Sequence, residues 1–150
     1  MPQSHAKVLI HLVFSTKNRQ PLLPADFYEP LCQYSYGILQ QEKCHLIEMN
    51  NVSDHVHVLF DLHRTEALAD VVMHIKKGTS RWLKEQGSQF RKFDWQDGYG
   101  AFSLGFSQRK TAVNYIRRQQ THHGKISFQD EFRDFLNRYE VEFDEKYVWG

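Results

Sequence analysis

The sequence predicts an α+β fold in which helices pack on a mainly antiparallel β-sheet. The first indication is a β-hairpin pattern, in which a cluster of turn-forming residues joins two short apolar runs. The second is a pair of long segments with apolar residues at helical spacing. The third is the order strand, helix, strand, strand, helix, strand, helix, helix along the chain. The 150 residues contain no internal repeat, low-complexity segment or long linker, so we expect a single domain over residues 1–150.

The first half of the chain supplies a strand, a helix and the hairpin. The segment KVLIHLVFST, residues 7–16, is largely apolar on both alternating faces, which is typical of a central strand. Pro21 and Pro24 then interrupt regular structure, and residues 25–42 place apolar residues near one helical face. The hairpin strands are CHLIEMN and HVHVLFDL, on either side of the turn-forming segment NVSD.

The second half supplies a long helix, a strand and two more helices. Residues 66–86 form the strongest helical pattern, and their polar side is basic, with Lys76, Lys77, Arg81 and Lys84. The segment WQDGYGAFSLGFS predicts a turn and then a strand that reaches Phe106. We expect Ser107 to cap a helix that runs to about residue 120. Ser127, followed by Asp130, predicts the start of the last helix, FQDEFRDFLNRYE.

Composition indicates a soluble cytoplasmic protein. The sequence contains no signal-peptide pattern and no apolar run near the roughly 20 residues that span a bilayer. Its two cysteines, Cys32 and Cys44, do not form a CxxC motif, so they predict neither a disulfide framework nor a cysteine zinc site. We therefore expect free thiols.

The net charge of +1 hides an uneven distribution of charge. Residues 107–125 contain five basic residues and no acidic one, whereas residues 129–146 contain seven acidic residues and three basic ones. A nearly neutral chain can therefore present a locally cationic surface, which a phosphate backbone requires.

The second hairpin strand carries two histidines on one face. Because side chains alternate along a strand, His55 and His57 lie together, while Val56, Val58 and Phe60 face the core. We therefore expect the imidazoles on an exposed face, either as polar surface residues or as ligands of one metal ion. Spacing alone would suggest zinc. Two roles are open for the preceding Asp54, a turn former or a hydrogen-bond partner of a histidine.

The segment AVNYIRRQQTHH, residues 112–123, contains a second candidate group. Tyr115 and Gln119 are four residues apart and lie on one helical face, with Arg117 and Arg118 on the exposed side. A tyrosine beside basic residues can be a nucleophile toward a phosphodiester, a base-stacking surface or a half-buried packing residue. The segment by itself leaves these three roles open. Two roles are open for His122 and His123, which end the segment: a structural or surface role, or a role in contacting DNA or tuning the site.

Together these motifs resemble the single-tyrosine HUH transposases of bacterial and archaeal insertion sequences, the TnpA-like, IS200-like enzymes that act on single-stranded DNA. The resemblance spans about residues 8–148 through HLVFSTKNRQPLL, DHVHVLF, GYGAFSLGFS and YIRRQQTHH followed by SFQDEFRDFL. It implies a ferredoxin/RRM-like HUH fold with His55, His57 and Gln119 as metal ligands and Tyr115 as the catalytic tyrosine. The implied ion is Mg²⁺ or Mn²⁺ rather than zinc.

The resemblance also implies a reaction and its partners. Tyr115 would attack single-stranded DNA at an insertion-sequence end, forming a 5′-phosphotyrosine and releasing a 3′-hydroxyl that later reverses the step. No nucleotide cofactor is implied, and the sequence has no Walker-type GxxxxGK[ST] motif. Family members act as homodimers with composite active sites on DNA that has hairpin ends. The candidate DNA contacts are Lys76, Lys77, Arg81, Arg117 and Arg118.

Two other functions compete with this interpretation. One is a domesticated hairpin-DNA-binding module, or a REP-associated transposase without autonomous transposition. The other is a zinc-dependent hydrolase built on the two histidines, which the absence of a suitably spaced third histidine and general base disfavours.

Overall fold

A four-stranded antiparallel sheet with strand order β2-β3-β1-β4 forms the centre of the protein. The computed structural model describes residues 3–122 and 126–150, without the side chain of His122. The strands are β1 Leu9–Ser15, β2 His45–Asn51, β3 His55–Asp61 and β4 Gly100–Leu104. The helices are α1 Tyr28–Gln41, α2 Leu68–Lys84, α3 Arg109–Arg117, α4 Gln119–His122 and α5 Phe128–Arg138. The predicted α+β class with an antiparallel sheet is therefore confirmed.

Strand β1 lies between β3 and β4, and all seven of its residues are buried, as a strand apolar on both faces predicts. In its antiparallel pairing with β3, Val13 lies opposite His57 and His11 lies opposite Leu59. Directly paired residues point to the same face of a sheet. The face that carries both hairpin histidines therefore also carries His11.

The two faces of the sheet bury different clusters. One face contributes apolar residues such as Val56, Val58 and Phe60 to a core that is completed by residues of α1 and α2. The histidine face is covered by α5, whose inward residues are Phe128, Phe132, Phe135 and Leu136.

The expected exposure of the two histidines is wrong. Both His55 and His57 are 0% exposed. The alternation of the strand is as predicted, but α5 returns across this face and excludes water from it. A buried polar group requires a hydrogen-bond partner, so the burial itself indicates that these imidazoles are engaged.

The ends of several elements test the local predictions. Ser127 caps α5, since its side chain accepts a hydrogen bond from the Asp130 backbone N–H at 3.2 Å. The Ser107 cap is wrong, because Ser107 lies inside a single 3₁₀ turn and α3 begins only at Arg109. Strand β4 ends at Leu104, which leaves Phe106 67% exposed outside the sheet.

None of the helices in the described part of the chain is long and apolar enough to cross a membrane.

Candidate active site

Three buried side chains meet on the covered face of the sheet. His55 and His57 come from β3 and Glu131 comes from α5, and their ligating atoms all lie within 4.8 Å of one another. Glu131 Oε1 is 2.9 Å from His57 Nε2 and 3.5 Å from His55 Nε2. A carboxylate beside two imidazoles is a set of donors that can hold a divalent metal ion.

Each histidine also has a partner on its outer nitrogen. His55 Nδ1 lies 2.7 Å from Asp54 Oδ1, so Asp54 is a hydrogen-bond partner of a histidine, one of its two predicted roles. His57 Nδ1 lies 2.8 Å from Nε2 of His11 on the neighbouring strand. Both Nε2 atoms are thereby directed toward Glu131, as in metal sites whose ligands are oriented by outer hydrogen bonds.

The charge states of the histidines differ. Burial and the neighbouring His57 lower the pKa of His11 to about 3, so His11 is neutral at neutral pH. For His55, burial alone would lower the pKa, but the hydrogen bonds to Asp54 and Glu131 and their negative charges together raise it. The carboxylates therefore favour a protonated His55 wherever no cation competes for its Nε2.

Tyr115 contacts the same carboxylate. Its hydroxyl donates to Oε2 of Glu131, and its ring lies 5.8 Å from the His57 ring in an edge-on arrangement. Burial raises the pKa of Tyr115 well above its usual value, and the hydrogen bond to Glu131 and the negative charge of Glu131 act in the same direction. The hydroxyl therefore keeps its proton at neutral pH in this arrangement.

Gln119 completes the group. Although α3 ends at Arg117 and Gln119 begins the short helix α4, the Gln119 amide Nε2 still lies 3.3 Å from Glu131 Oε2. Its Oε1 is buried and has no hydrogen-bond partner among the residues that the structure describes. An unsatisfied buried oxygen on a side chain that contacts Glu131 fits a divalent cation that takes oxygen ligands.

The structure thus brings His55, His57, Tyr115 and Gln119 together, and it adds Glu131, which the sequence prediction missed. Glu131 is 74 residues from His57 in sequence. A signal was present in the last helix, where Glu131 lies between Phe128 and Phe132 on the apolar stripe. A charged residue within such a stripe is buried against the core and therefore has a specific partner.

Two of the five candidate DNA contacts have protein partners. The Lys76 ammonium donates to the carbonyl of Gln96 at 2.8 Å and also to the carbonyl of Gly98, so it anchors the loop before β4. Burial lowers its pKa. Arg117 forms a 2.7 Å ion pair with Glu48 of β2.

The other three candidates, Lys77, Arg81 and Arg118, are exposed at the surface. His123 lies outside the described residues, as does the side chain of His122.

Among the solved structures that share this fold are two transposases. One is a candidate transposase from Deinococcus radiodurans R1, with a TM-score of 0.60 and 20% identity, covering 79% of this chain and 98% of the other. The second is a REP-associated tyrosine transposase bound to a REP hairpin, with a TM-score of 0.60 and 15% identity, covering 84% of this chain and 74% of the other. At these identities the likeness shows the fold. Among curated proteins, none matches the sequence.

The chain belongs to the IS200-like transposase family, whose model, described as "Transposase IS200 like", matches residues 4–119. The family predicted from the sequence motifs is therefore confirmed. The matched range contains both hairpin histidines and ends at Gln119, whereas Glu131 lies beyond it. The carboxylate at the centre of the site thus comes from a part of the chain that the family model does not reach.

Proposed function

We propose that this protein is a single-tyrosine HUH transposase that cleaves and rejoins single-stranded DNA at the ends of an insertion sequence. One observation carries the proposal. The Tyr115 hydroxyl, the His57 imidazole and the Gln119 amide all contact the carboxylate of Glu131. The nucleophile and the candidate metal ligands therefore converge on one point.

The donor set favours Mg²⁺ or Mn²⁺. Two imidazoles alone would suit zinc, but the Glu131 carboxylate and the Gln119 carbonyl oxygen are hard ligands of the kind these two ions take. When bound, the divalent ion would polarise the scissile phosphate and stabilise the charge that develops on it.

The two oxygens of Glu131 have separate tasks in the reaction. Oε1 faces the histidines, while Oε2 accepts the hydrogen bond of the Tyr115 hydroxyl and is the atom placed to take its proton. As Tyr115 Oη bonds to phosphorus, the bond from phosphorus to the 3′-oxygen breaks. The product is a 5′-phosphotyrosine, and the free 3′-oxygen takes a proton from water. The reverse step uses an incoming 3′-hydroxyl and needs no further energy source, since one phosphodiester replaces another.

We propose that hairpin-containing DNA is the substrate and that Lys77, Arg81 and Arg118 contact its phosphates in the cytoplasm of the host cell. These three side chains are exposed, whereas Lys76 donates to two backbone carbonyls and Arg117, although 66% exposed, is paired with Glu48. Exposed cations supply the sequence-independent part of nucleic-acid affinity. The complex of the REP-associated transposase with a REP hairpin supports the same class of DNA.

The resemblance implies homodimers in which the tyrosine helix of one subunit serves the histidines of the other. In this chain, α3 docks on its own sheet, because Asn50 Nδ2 donates to the Ile116 carbonyl at 2.9 Å and Glu48 pairs with Arg117. One chain therefore brings together the groups to which the proposed reaction gives a role. We propose a site formed within one chain, and exchange of α3 in a homodimer would have to remake these two contacts across the interface.

Mixing two inactive variants tests this point. A Tyr115→Phe chain and a His57→Ala chain share an intact site only if the tyrosine helix serves the partner subunit. A site formed within one chain predicts no covalent adduct from the mixture. Adduct formation on the His57→Ala chain would establish composite sites instead.

The reaction itself is tested with single-stranded DNA that contains a hairpin and a candidate element end. With Mg²⁺ or Mn²⁺, denaturing gels should show a covalent protein–DNA adduct that chelation and Tyr115→Phe abolish. Tyr147→Phe, at a 67% exposed tyrosine, is the matched control and should behave as the wild type. An adduct in Tyr115→Phe would overturn the nucleophile assignment. Tight hairpin binding with no adduct from any substrate would favour the binding module.

A further inference from the structure

A third buried imidazole lies on the histidine face, and the proposed reaction gives it no task. His11 is at the centre of β1, opposite Leu59 of β3 and Phe102 of β4, and is 4% exposed. Its Nε2 lies 2.8 Å from His57 Nδ1, and its ring packs edge-on against Phe135 at 5.1 Å.

We propose that His11 is a positioning residue for His57. Its hydrogen bond to His57 Nδ1 holds the His57 ring so that His57 Nε2 faces Glu131 and can bind a metal ion there. This inference rests on the metal centre of the proposed function. It gives a role in the site to His11 of β1, a residue that lies outside both the HxH motif and the tyrosine segment.

The chemistry of imidazole gives the reason. A neutral imidazole has one N–H, and the nitrogen that binds a cation must be the unprotonated one. When His57 binds through Nε2, its proton is therefore on Nδ1 and requires an acceptor, which His11 Nε2 supplies. When His57 Nε2 instead donates to Glu131, His11 takes its other tautomer and donates to Nδ1. An imidazole, unlike a carboxylate, can serve both arrangements.

The second histidine provides a comparison within the same strand. His55 has Asp54 at 2.7 Å from its Nδ1, and this carboxylate can only accept a hydrogen bond. Each of the two candidate ligands thus has its own outer partner, an anionic one for His55 and a neutral one for His57. Such outer partners fix the orientation and the tautomer of ligating histidines.

Packing alone does not account for His11. Its neighbours on the same face of the sheet, Val13 and Phe102, are apolar and buried, and an aliphatic side chain would fill the same space beside Phe135. A buried polar group destabilises a protein unless it is hydrogen-bonded. The bond to His57 is therefore the feature that a leucine at this position would lose.

His11 also lines a cavity of about 380 Å³ beside Tyr115 and Arg138. A contact from this cavity to bound DNA is the competing role for His11. The two roles are separated by measuring metal binding without DNA.

The test compares His11→Leu, which removes the bond, with His11→Gln, whose amide reaches about as far as Nε2 and can accept or donate. Calorimetric titration with Mn²⁺ in the absence of DNA should show affinity about 10- to 100-fold lower for His11→Leu. His11→Gln should recover most of this loss. His45→Leu, at an exposed histidine of β2, is the matched control and should bind as the wild type. Unfolding in chelator checks that each variant folds.

Several outcomes would overturn the inference. Wild-type Mn²⁺ affinity in His11→Leu, with cleavage reduced, would assign His11 to DNA. Equal losses of Mn²⁺ affinity in His11→Leu and His11→Gln would mean that the shape of the His11 ring, and not its hydrogen bond, supports metal binding. If the wild type does not bind Mn²⁺, the proposed metal centre is overturned instead. If it does bind Mn²⁺, loss of binding in His57→Ala shows that the ion occupies the proposed centre.

A measurement on the wild type covers the case in which His11→Leu does not fold. Nitrogen NMR of the imidazoles in the Mg²⁺-loaded protein should place the His57 proton on Nδ1, in a hydrogen bond to His11. A His57 Nδ1 without a proton, or with one exposed to rapid exchange with water, would overturn the inference.

Discussion

Acid should weaken the folded state through His11. Its pKa is lowered to about 3 by burial and by His57, from 6.5 for an unperturbed histidine. Between these two values the unfolded chain binds a proton at this position and the folded protein does not. The free energy of unfolding therefore falls as the pH falls from about 6.5 toward 3, and the His11 contribution is fully present above 6.5.

The size of the loss follows from the two pKa values. Each unit below the unfolded-state pKa costs about 1.36 kcal/mol. About pH 5 is roughly one and a half units below that value, so the folded state loses about 2 kcal/mol between about pH 7.5 and about pH 5. About pH 5 is still far above the pKa of His11 in the folded protein. The loss therefore depends on the pKa of His11 in the unfolded chain and hardly on the exact pKa in the folded protein.

Urea unfolding at the two pH values, in chelator, measures this loss. The wild type should lose about 2 kcal/mol more on acidification than His11→Leu, and His45→Leu should lose as much as the wild type. Other titrating groups, such as His55, are present in both the wild type and His11→Leu, so the difference between these two proteins reports the loss of His11 and of its interaction with His57. Equal losses in the wild type and in His11→Leu would refute the claim that His11 is buried in its neutral form.

The remaining predictions concern Glu131 and the basic side chains. Glu131→Gln removes a ligand charge and should lower Mn²⁺ affinity at least about tenfold by calorimetry, whereas Asp134→Asn, at an exposed carboxylate of α5, should leave it unchanged. The same Glu131 variant should lower the pKa of Tyr115, because the negative charge of Glu131, which adds to the effect of burial, is gone. Ultraviolet titration with Tyr115→Phe as reference measures this change. Lys77→Ala should weaken DNA binding and reduce the salt slope by about 0.7 to 0.9. Lys76→Met should instead lower the free energy of unfolding by about 1–2 kcal/mol in urea, because it frees the loop before β4.

Local patterns predicted the strands, the helices and much of the site. The alternation of β3 placed His55 and His57 on one face, and the spacing from Tyr115 to Gln119 placed them together even though a helix break separates them. Ser127 was predicted as a cap because its motif lies within four residues. Features of this kind depend on residues that are close in sequence, and a single chain shows them directly.

Two features that depend on distant residues were not predicted. The exposure of the histidine face was wrong because its cover, α5, lies more than sixty residues further along the chain. Glu131 was missed for the same reason, although its place on an apolar stripe marked it as unusual. The Ser107 cap failed differently, since one extra 3₁₀ turn moved the start of α3 to Arg109.

The position of Glu131 joins the candidate metal ligands and the proposed nucleophile in one unit. Oε1 faces the His57 and His55 imidazoles while Oε2 holds the Tyr115 hydroxyl, and the two oxygens of a planar carboxylate cannot move independently. The histidines lie on β3, which is buried in the sheet, and Glu131 lies on α5, which its phenylalanines pack against the sheet. The Tyr115 oxygen is therefore set at a defined place beside the candidate metal ligands before DNA arrives. In the proposed reaction, such preorganisation would offset the raised pKa of Tyr115, because the carboxylate and the incoming phosphate would meet the hydroxyl in a fixed geometry.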